Sequence, residues 1–196
     1  MHESSAEARK IALFNPEYAA ALAAHFLAKA RDRTLNDLVL MKLLYLTERQ
    51  FMFKYGAVIT GSDFVSMKNG PVLLDVYRLM KSDSASGWHD YIEFIPHVAG
   101  GDSNHLKLIK DVPADWLSDA ERSTADEIWK QYGSKDKWEL VDLTHTFKEW
   151  DASVAGKDAT VKRTDIRLRS ILMKGYDMSF SEANEIVEEI EYYRSL

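Results

Sequence analysis

The sequence contains no cysteine, and this absence excludes several kinds of chemistry at once. A chain without thiols has no disulfide, no thiolate metal site and no cysteine nucleophile. The lack of cysteine agrees with a reducing compartment, so we expect a cytoplasmic protein. The sequence also lacks any run of the roughly 20 apolar residues that a membrane-spanning helix needs. Residues 1–14 form a polar N-terminal segment without the apolar core of a signal peptide, so secretion is not expected.

The sequence also has fewer positively than negatively charged residues. The chain has 25 Lys and Arg residues against 31 Asp and Glu residues, which gives a formal net charge of -6. Because a negative molecule repels polyphosphate, we do not expect nucleic-acid binding. The 196 residues, 46% of them hydrophobic, are enough to bury one substantial core but seldom two. We therefore expect a single domain.

Helix boundary signals are clear in the first third of the chain. Asn15-Pro16-Glu17 predicts a helix start, because Asn caps free amides and Pro fits the first turn. A second helix is predicted from Asn36 to Tyr55, and Gly56 can adopt the left-handed conformation that ends helices. The apolar residues of this second helix occur on all its sides, which is typical of a helix surrounded by protein. We expect it at the centre of the fold.

The segment after this helix changes pattern. Residues 64–68 are compatible with one short strand. Pro71 then suits the first turn of a third helix, which is predicted to end near Lys81. In this interpretation Gly70 and Pro71 turn a strand directly into a helix, and the exposed residues before them lie on a rigid corner.

A hairpin is predicted from residues 91–98 and 105–110, joined by a turn at Gly100-Gly101-Asp102. Pairing His97 with His105 gathers the apolar side chains on one face and the polar ones on the other. In that register Phe94 lies opposite Leu108 and Pro96 lies opposite Leu106. A slip by one residue would mix the two faces, so the alternation specifies the pairing.

The remaining chain is predicted to be helical. Capping boxes or capping residues mark helix starts at Ser118, Asp136 and Ser179. The helix after Asp136 is predicted to carry Trp138, Val141, Phe147 and Trp150, and a further helix is predicted from Thr164 to Lys174. The predicted fold class is α+β, mainly α-helical, with a compact bundle around a buried central helix and a small antiparallel β-sheet.

Few residues of the sequence indicate a catalytic, nucleotide-binding or metal site. There is no glycine-rich phosphate loop, and the pair His97 and His105 is too small a ligand set to predict a metal site. Asp142 and His145 lie three residues apart on a helix, a spacing that can orient an imidazole as a general base. No nucleophile stands in a suitable context beside them. A hydrolase using Asp142 and His145 remains the alternative to a protein without catalytic activity.

Several motifs together carry a resemblance to a known family. They are Lys42-Leu43-Leu44-Tyr45, Tyr55-Gly56, Lys68-Asn69-Gly70-Pro71-Val72, Val76-Tyr77 and, far downstream, Leu140-Val141-Asp142-Leu143-Thr144-His145 with Trp150. In order and spacing this set resembles the Panacea domain of SocA-like antitoxins. The resemblance covers roughly residues 16–150. It implies a Panacea-like antitoxin domain over residues 15–150, followed by a C-terminal helical extension over residues 151–196 packed on the same domain.

The resemblance also implies a function. Antitoxins of this family bind a toxin that is encoded beside them, so the expected activity is neutralisation of a cognate toxin by direct protein–protein binding. One type of member resembles a proteolytic adaptor that delivers its toxin to a ClpXP-type protease, which is the alternative mechanism. Neither mechanism requires catalysis or a cofactor.

The candidate partner-binding residues come from the same motifs. Lys68, Asn69, Gly70 and Pro71 form the predicted corner before the third helix. Tyr45, Tyr77, His145 and Trp150 are predicted to line the same edge from neighbouring helices. The alternative for Tyr45, Tyr77 and Trp150 is that they only build the fold. We expect the binding surface at this corner and not on the glutamate-rich C-terminal helix.

Overall fold

The computed structural model describes residues 13–82, 87–97, 103–155 and 161–194. Its α-helices are α1 (Pro16–Lys29), α2 (Asp37–Tyr55), α3 (Leu74–Lys81), α4 (Asp119–Tyr132), α5 (Lys137–His145), α6 (Leu168–Ser170) and α7 (Phe180–Arg194). Its strands are β1 (Thr34–Asn36), β2 (Phe64–Met67), β3 (Gly70–Leu73), β4 (Ile92–Ile95), β5 (His105–Leu108) and β6 (Arg163–Asp165). They form two antiparallel sheets with the strand orders β1-β5-β4 and β3-β2-β6. The predicted class, α+β and mainly helical, is confirmed.

Helix α2 is the buried centre of the fold, as predicted. The Asn36 side chain accepts hydrogen bonds from two free amides at its start, and Gly56 ends it in the left-handed conformation at φ 61°. Every residue from 39 to 48 is buried. Helices α1, α4 and α5 and strand β3 all pack against it. Because no face of α2 is left to solvent along this stretch, the polar residues in it need partners inside the protein.

Glu48 shows how such a partner is provided. Its carboxylate is buried and accepts hydrogen bonds from the backbone amides of Ile59 (2.7 Å) and Thr60 (2.6 Å), and from the Thr60 hydroxyl (2.5 Å). Burial raises the pKa of Glu48, and these hydrogen bonds act in the opposite direction. The loop after α2 is therefore fixed to the central helix by one side chain.

The segment around Pro71 differs from the sequence prediction. Gly70 and Pro71 do not begin a helix: they belong to β3, which forms a hairpin with β2 and pairs Met67 with Gly70 and Ser66 with Pro71. Helix α3 begins only at Leu74. Pro71 is tolerated because β3 is an edge strand, where a missing backbone N–H leaves no ladder hydrogen bond broken. The prediction was wrong because proline suits both a first helical turn and an edge strand.

The β4–β5 hairpin is present, but its predicted register was wrong by two residues. Ile92 pairs with Leu108 and Phe94 with Leu106, so His105 lies opposite Ile95 and not opposite His97. A shift by two residues leaves every side chain on its face, so the alternation of the sequence fits both registers equally well. The faces themselves are as predicted, since Ile92, Leu106 and Leu108 are buried. The turn predicted at Gly100-Gly101-Asp102 lies outside the described residues.

Two later helices are shorter than predicted. Ser118 and Asp136 both form capping boxes at the starts of α4 and α5, which confirms those boundaries. Helix α5 ends at His145, so Phe147 and Trp150 lie in the turn that follows it. The helix predicted from Thr164 to Lys174 begins only at Leu168, because Thr164 and Asp165 belong to strand β6 on the free edge of β2. The edge of β2 decides this conformation, because it offers unpaired backbone groups that a three-residue pattern does not reveal.

The C-terminal residues pack on the rest of the chain. Ser179 caps α7 together with Glu182, as predicted, and α7 buries Val187 and Ile190. Arg194 donates a hydrogen bond to the carbonyl of Gly61 at 3.0 Å. The division of the chain at residue 150 stays a prediction. Within the described residues, no helix combines the length and the apolar character that crossing a membrane requires.

The environment of Glu48 leads to a stability prediction. Glu48→Gln places an amide group where two backbone N–H donors converge, so one buried donor loses its acceptor. We expect the free energy of unfolding to fall by roughly 1–3 kcal/mol in urea titrations at neutral pH. The control is Glu185→Gln on the exposed face of α7, which should change stability by less than about 0.5 kcal/mol. Equal stability of the two variants would contradict this role of Glu48.

Candidate partner-binding site

Lys42 of the central helix α2 holds the hairpin of β2 and β3 by a hydrogen bond to its backbone. This residue lies on α2 with no exposed surface, and its Nζ donates a hydrogen bond to the carbonyl of Pro71 at 2.8 Å. Burial lowers the pKa of Lys42 to about 7. A lysine in the core is costly unless it is hydrogen-bonded, so its position determines where the strand carbonyl must lie.

Two more side chains hold the backbone of the same hairpin. Trp150 donates from Nε1 to the carbonyl of Met67 at 3.1 Å. The His145 ring stacks on Trp150 with a centroid distance of 3.9 Å and an angle of 10° between the planes. His145 also makes a hydrogen bond with the backbone of Lys68. The two turn residues, Lys68 and Asn69, are therefore presented by a backbone that is fixed on both strands.

Gly70 is the point of closest approach between the hairpin and the helices. A Cβ atom at this position would lie 2.6 Å from Lys42 Nζ, 2.6 Å from Thr144 Oγ1 and 3.4 Å from His145 Cδ2. Its φ of 93° also lies in a region of backbone conformation that residues with a Cβ rarely adopt. Only glycine allows the hairpin to pack directly on α2 and α5.

Tyr45 lies in the core beneath this arrangement and not on a surface. It has no exposed area, and its hydroxyl donates to Glu149 Oε1 at 3.2 Å. Arg49 Nε donates to the same oxygen at 2.6 Å. Burial is the largest cause of the raised pKa of Tyr45. The hydroxyl of Tyr45 thus helps to hold Glu149 in the turn before Trp150. Because Tyr45 is fully buried, it does not lie on a surface that a partner could contact.

The tip of the hairpin borders an open groove of about 330 Å³. Met67, Lys68, Asn69 and Gly70 form one side of this groove. The other sides come from Val72 in β3, from Asn36 and the start of α2, from α3, from the start of α5 and from the residues before β5. These other lining residues are Asn36, Asp37, Leu38, Met41, Val72, Tyr77, Met80, Lys81, Ser103, Asn104, Lys137 and Trp138. We call this feature the hairpin groove.

The structure therefore divides the predicted site residues into two groups. Lys68, Asn69, Gly70 and Tyr77 line the hairpin groove. Pro71, Tyr45, His145 and Trp150 do not line it, and they act on the backbone or the core behind it. The first group is in a position to contact a partner, and the second group positions the first.

Sequence reasoning missed Trp138 and Lys137 as members of this site. Trp138 was predicted only as part of the helix after Asp136, and 56% of its surface is exposed. The Lys137 Nζ lies 5.4 Å from the Trp138 ring centroid. A signal was present in the sequence, since Lys137 and Trp138 are the first two residues after the capping residue Asp136 and so lie in the first turn of a helix. Their neighbours in the groove come from distant parts of the chain.

The structure does not join Asp142 and His145, the residues of the hydrolase alternative, by a hydrogen bond within the described residues. Asp142 is exposed. Burial lowers the pKa of His145 and the charge of Lys42 acts in the same direction, whereas the bond with the Lys68 backbone and the charge of Asp142 oppose them. The Nε2 atom of His145 is buried without a hydrogen-bond partner among the described residues. The described residues also contain no group of three or more potential metal ligands around His97 and His105.

The structure is thus a mainly helical domain with a fixed hairpin beside an open groove. Comparison with known proteins identifies the family: the model for the antitoxin SocA-like family, Panacea domain, matches residues 40–151. This match covers more than half of the chain, and the chain belongs to this family. The match covers α2 from Leu40 onward, the hairpin, Trp150 and all residues that line the groove except Asn36, Asp37 and Leu38. No curated protein and no solved structure matches the chain.

The close approach at Gly70 leads to a second prediction. Gly70→Ala introduces a Cβ into contact with Lys42 and Thr144 in a conformation with positive φ. We expect thermal or urea unfolding to show a loss of roughly 1–3 kcal/mol. Asn69→Ala, on the exposed turn where φ is not positive, is the control and should cost less than about 0.5 kcal/mol. A Gly70→Ala variant as stable as Asn69→Ala would argue against this packing.

The buried Lys42 leads to a prediction about pH. The unfolded chain keeps the Lys42 proton up to the usual pKa of 10.5, whereas the folded chain releases it near pH 7. Between these values the unfolded state binds more protons, so the contribution of Lys42 makes the protein more stable as pH rises. Lys42→Met removes the titrating amine and with it this pH-dependent contribution to stability. From about pH 7.5 to about pH 9, wild type should gain stability relative to Lys42→Met by at most about 1.4 kcal/mol per pH unit.

Urea titrations of both proteins across this pH range measure the difference. Comparing wild type with Lys42→Met cancels the titration of all other groups that the substitution does not disturb. A stability difference that stays constant with pH would mean that the folded protein keeps Lys42 protonated.

Proposed function

We propose that this protein is an antitoxin that neutralises a cognate toxin in the cytoplasm by direct protein–protein binding, and that the hairpin groove contacts the toxin. Membership of the SocA-like antitoxin family supports the first part. The second part rests on one observation. Three residues of the family motifs form hydrogen bonds with the backbone of one hairpin: Lys42, His145 and Trp150. That hairpin borders an open groove.

A fixed hairpin suits recognition for an energetic reason. Binding costs free energy when loops or side chains must be ordered on contact. The Pro71 carbonyl is already held by the buried Lys42 and the Met67 carbonyl by the half-buried Trp150, so the turn between them is ordered before a partner arrives. Surface loops on a rigid scaffold are common carriers of binding function. The geometry therefore favours binding over catalysis.

Two mechanisms follow from the same contact. In sequestration the toxin stays intact within a stable complex. In the adaptor mechanism the complex passes the toxin to a ClpXP-type protease, so the amount of toxin falls. Co-expression in cells with and without the protease separates the two, because only the adaptor mechanism lets toxin accumulate when the protease is deleted.

The experiment that tests the proposal uses the protein encoded beside this chain. This neighbouring protein should be toxic when expressed alone, should be harmless when co-expressed with the chain, and should co-purify with it. Lys68→Ala combined with Asn69→Ala removes two exposed side chains at the tip of the hairpin without touching its buried supports. We expect the dissociation constant to rise at least about 10-fold, which corresponds to about 1.4 kcal/mol, and protection to weaken at native expression.

The control for this variant lies on the glutamate-rich face of α7. Glu185, Glu188 and Glu191 are exposed there, and changing all three to lysine should leave the affinity within about 2-fold of wild type at physiological salt. Loss of binding in the α7 variant with full binding by the hairpin variant would move the interface to α7. A harmless neighbour, or no complex at all, would reject the antitoxin proposal itself.

A further inference from the structure

The turn after α5, residues 147–151, joins the central helix to the hairpin, and we call it the connector turn. On one side, Trp150 Nε1 donates a hydrogen bond to the Met67 carbonyl at 3.1 Å. The backbone amide of Asp151 donates to Ser66 Oγ at 3.0 Å. Both acceptors belong to β2. The connector turn therefore holds two consecutive residues of the strand that leads into the tip of the hairpin.

On its other side the connector turn is fixed by a buried ion pair. The side chain of Glu149 has no exposed surface, and that of Arg49 is 11% exposed. Arg49 Nε donates to Glu149 Oε1 at 2.6 Å, and the Tyr45 hydroxyl donates to the same oxygen. Within the described residues, Glu149 Oε2 is buried without a hydrogen-bond partner. Arg49 is thus the salt-bridge partner of a carboxylate that has no contact with water.

A buried ion pair of this kind fixes geometry more than it adds stability. Removing two charges from water costs about as much free energy as their attraction returns, whereas the loss of one partner leaves an unpaired charge in the core, which is strongly destabilising. The connector turn is therefore favoured in the position where Glu149 reaches Arg49. A displacement of Arg49 would displace Glu149 and, through the connector turn, the hairpin.

C-terminal residues hold Arg49 in its place. Its guanidinium lies between the rings of Phe147 and Tyr176, with the Cζ atom 4.4 Å from each ring centroid, a distance at which a cation is attracted to the ring. Tyr176 directly follows the π-helical turn Ile171–Gly175, and such turns are frequent at functional sites. A Cβ at Gly175 would overlap the guanidinium. This turn therefore packs directly on the ion pair.

We infer that residues 171–176, which lie beyond the family match over residues 40–151, take part in toxin binding by positioning the hairpin. Tyr176 is a positioning residue: it holds Arg49, Arg49 holds Glu149, and the connector turn transfers this position to the hairpin. This inference rests on the proposed function, which takes the hairpin as the surface that meets the toxin. A residue that only stabilised the fold would lower the melting temperature without changing the affinity of the folded protein.

The first measurement needs no toxin. Amide hydrogen exchange of the full chain reports local opening of the hairpin. Tyr176→Leu removes the ring beside Arg49, and Val187→Ala is the matched control, because Val187 is buried on α7 and takes no part in the contacts described above. We expect Tyr176→Leu to speed exchange of the protected β2 and β3 amides at least about 5-fold more than Val187→Ala does.

The second measurement is a double-mutant cycle in the affinity for the purified neighbouring protein. Tyr176→Leu should raise the dissociation constant about 5-fold or more in the wild-type chain, but less than about 2-fold in the chain that already carries Lys68→Ala and Asn69→Ala. The effects overlap in this way if Tyr176 acts through the hairpin. Val187→Ala should leave the dissociation constant within about 2-fold of wild type at a temperature where it is folded.

Circular dichroism melting shows whether each form is folded. Arg49→Lys keeps the charge but loses the Nε donor, so it provides a second variant with the same expected effects should Tyr176→Leu not fold. Equal exchange of the hairpin amides in Tyr176→Leu and Val187→Ala would overturn the inference, whether or not a toxin is found. Fully additive effects in the cycle would overturn it as well. If wild type forms no complex, the proposed function is rejected, and hydrogen exchange still decides whether Tyr176 positions the hairpin.

Discussion

The hydrogen bond from the buried Lys42 amine to the Pro71 carbonyl is the interaction on which the rest of this structure depends. An amine without a carboxylate partner in the core is tolerated only where a backbone acceptor reaches it. The strand carrying that acceptor must then lie directly on the central helix. Gly70 makes this approach possible because it has no Cβ to collide with Lys42 and Thr144. The position of the hairpin, and with it one side of the groove, follows from this contact.

The molecule separates the residues that hold the site from the residues that form its surface. Lys42, His145 and Trp150 act on backbone atoms of the hairpin, and backbone contacts do not depend on which side chains the turn carries. Lys68 and Trp138 reach into the groove without supporting the core. Substitutions among the groove-lining side chains can therefore leave these backbone contacts, and with them the fold, unchanged.

Much of the local structure could be predicted because it depends on nearest neighbours along the chain. Asn15, Asn36, Ser118 and Asp136 cap the helices they were expected to cap, since capping requires only the residue and the next few amides. The failures share a different cause. Pro71 suits both a helix start and an edge strand, the two registers of the β4–β5 hairpin bury the same faces, and residues 163–165 become a strand only because β2 offers them an edge.

By itself, the sequence determined the class of fold, the buried central helix, the starts of the helices with capping residues and the family motifs, because each depends on local spacing and on residue type. The tertiary structure decided what those motifs do. It placed Tyr45 in the core and His145 and Trp150 behind the hairpin, and it brought Trp138 and Lys137 to the groove with Lys68. These relations join residues about 70 to 100 positions apart, and no periodicity along a chain reports which distant backbone a side chain will meet.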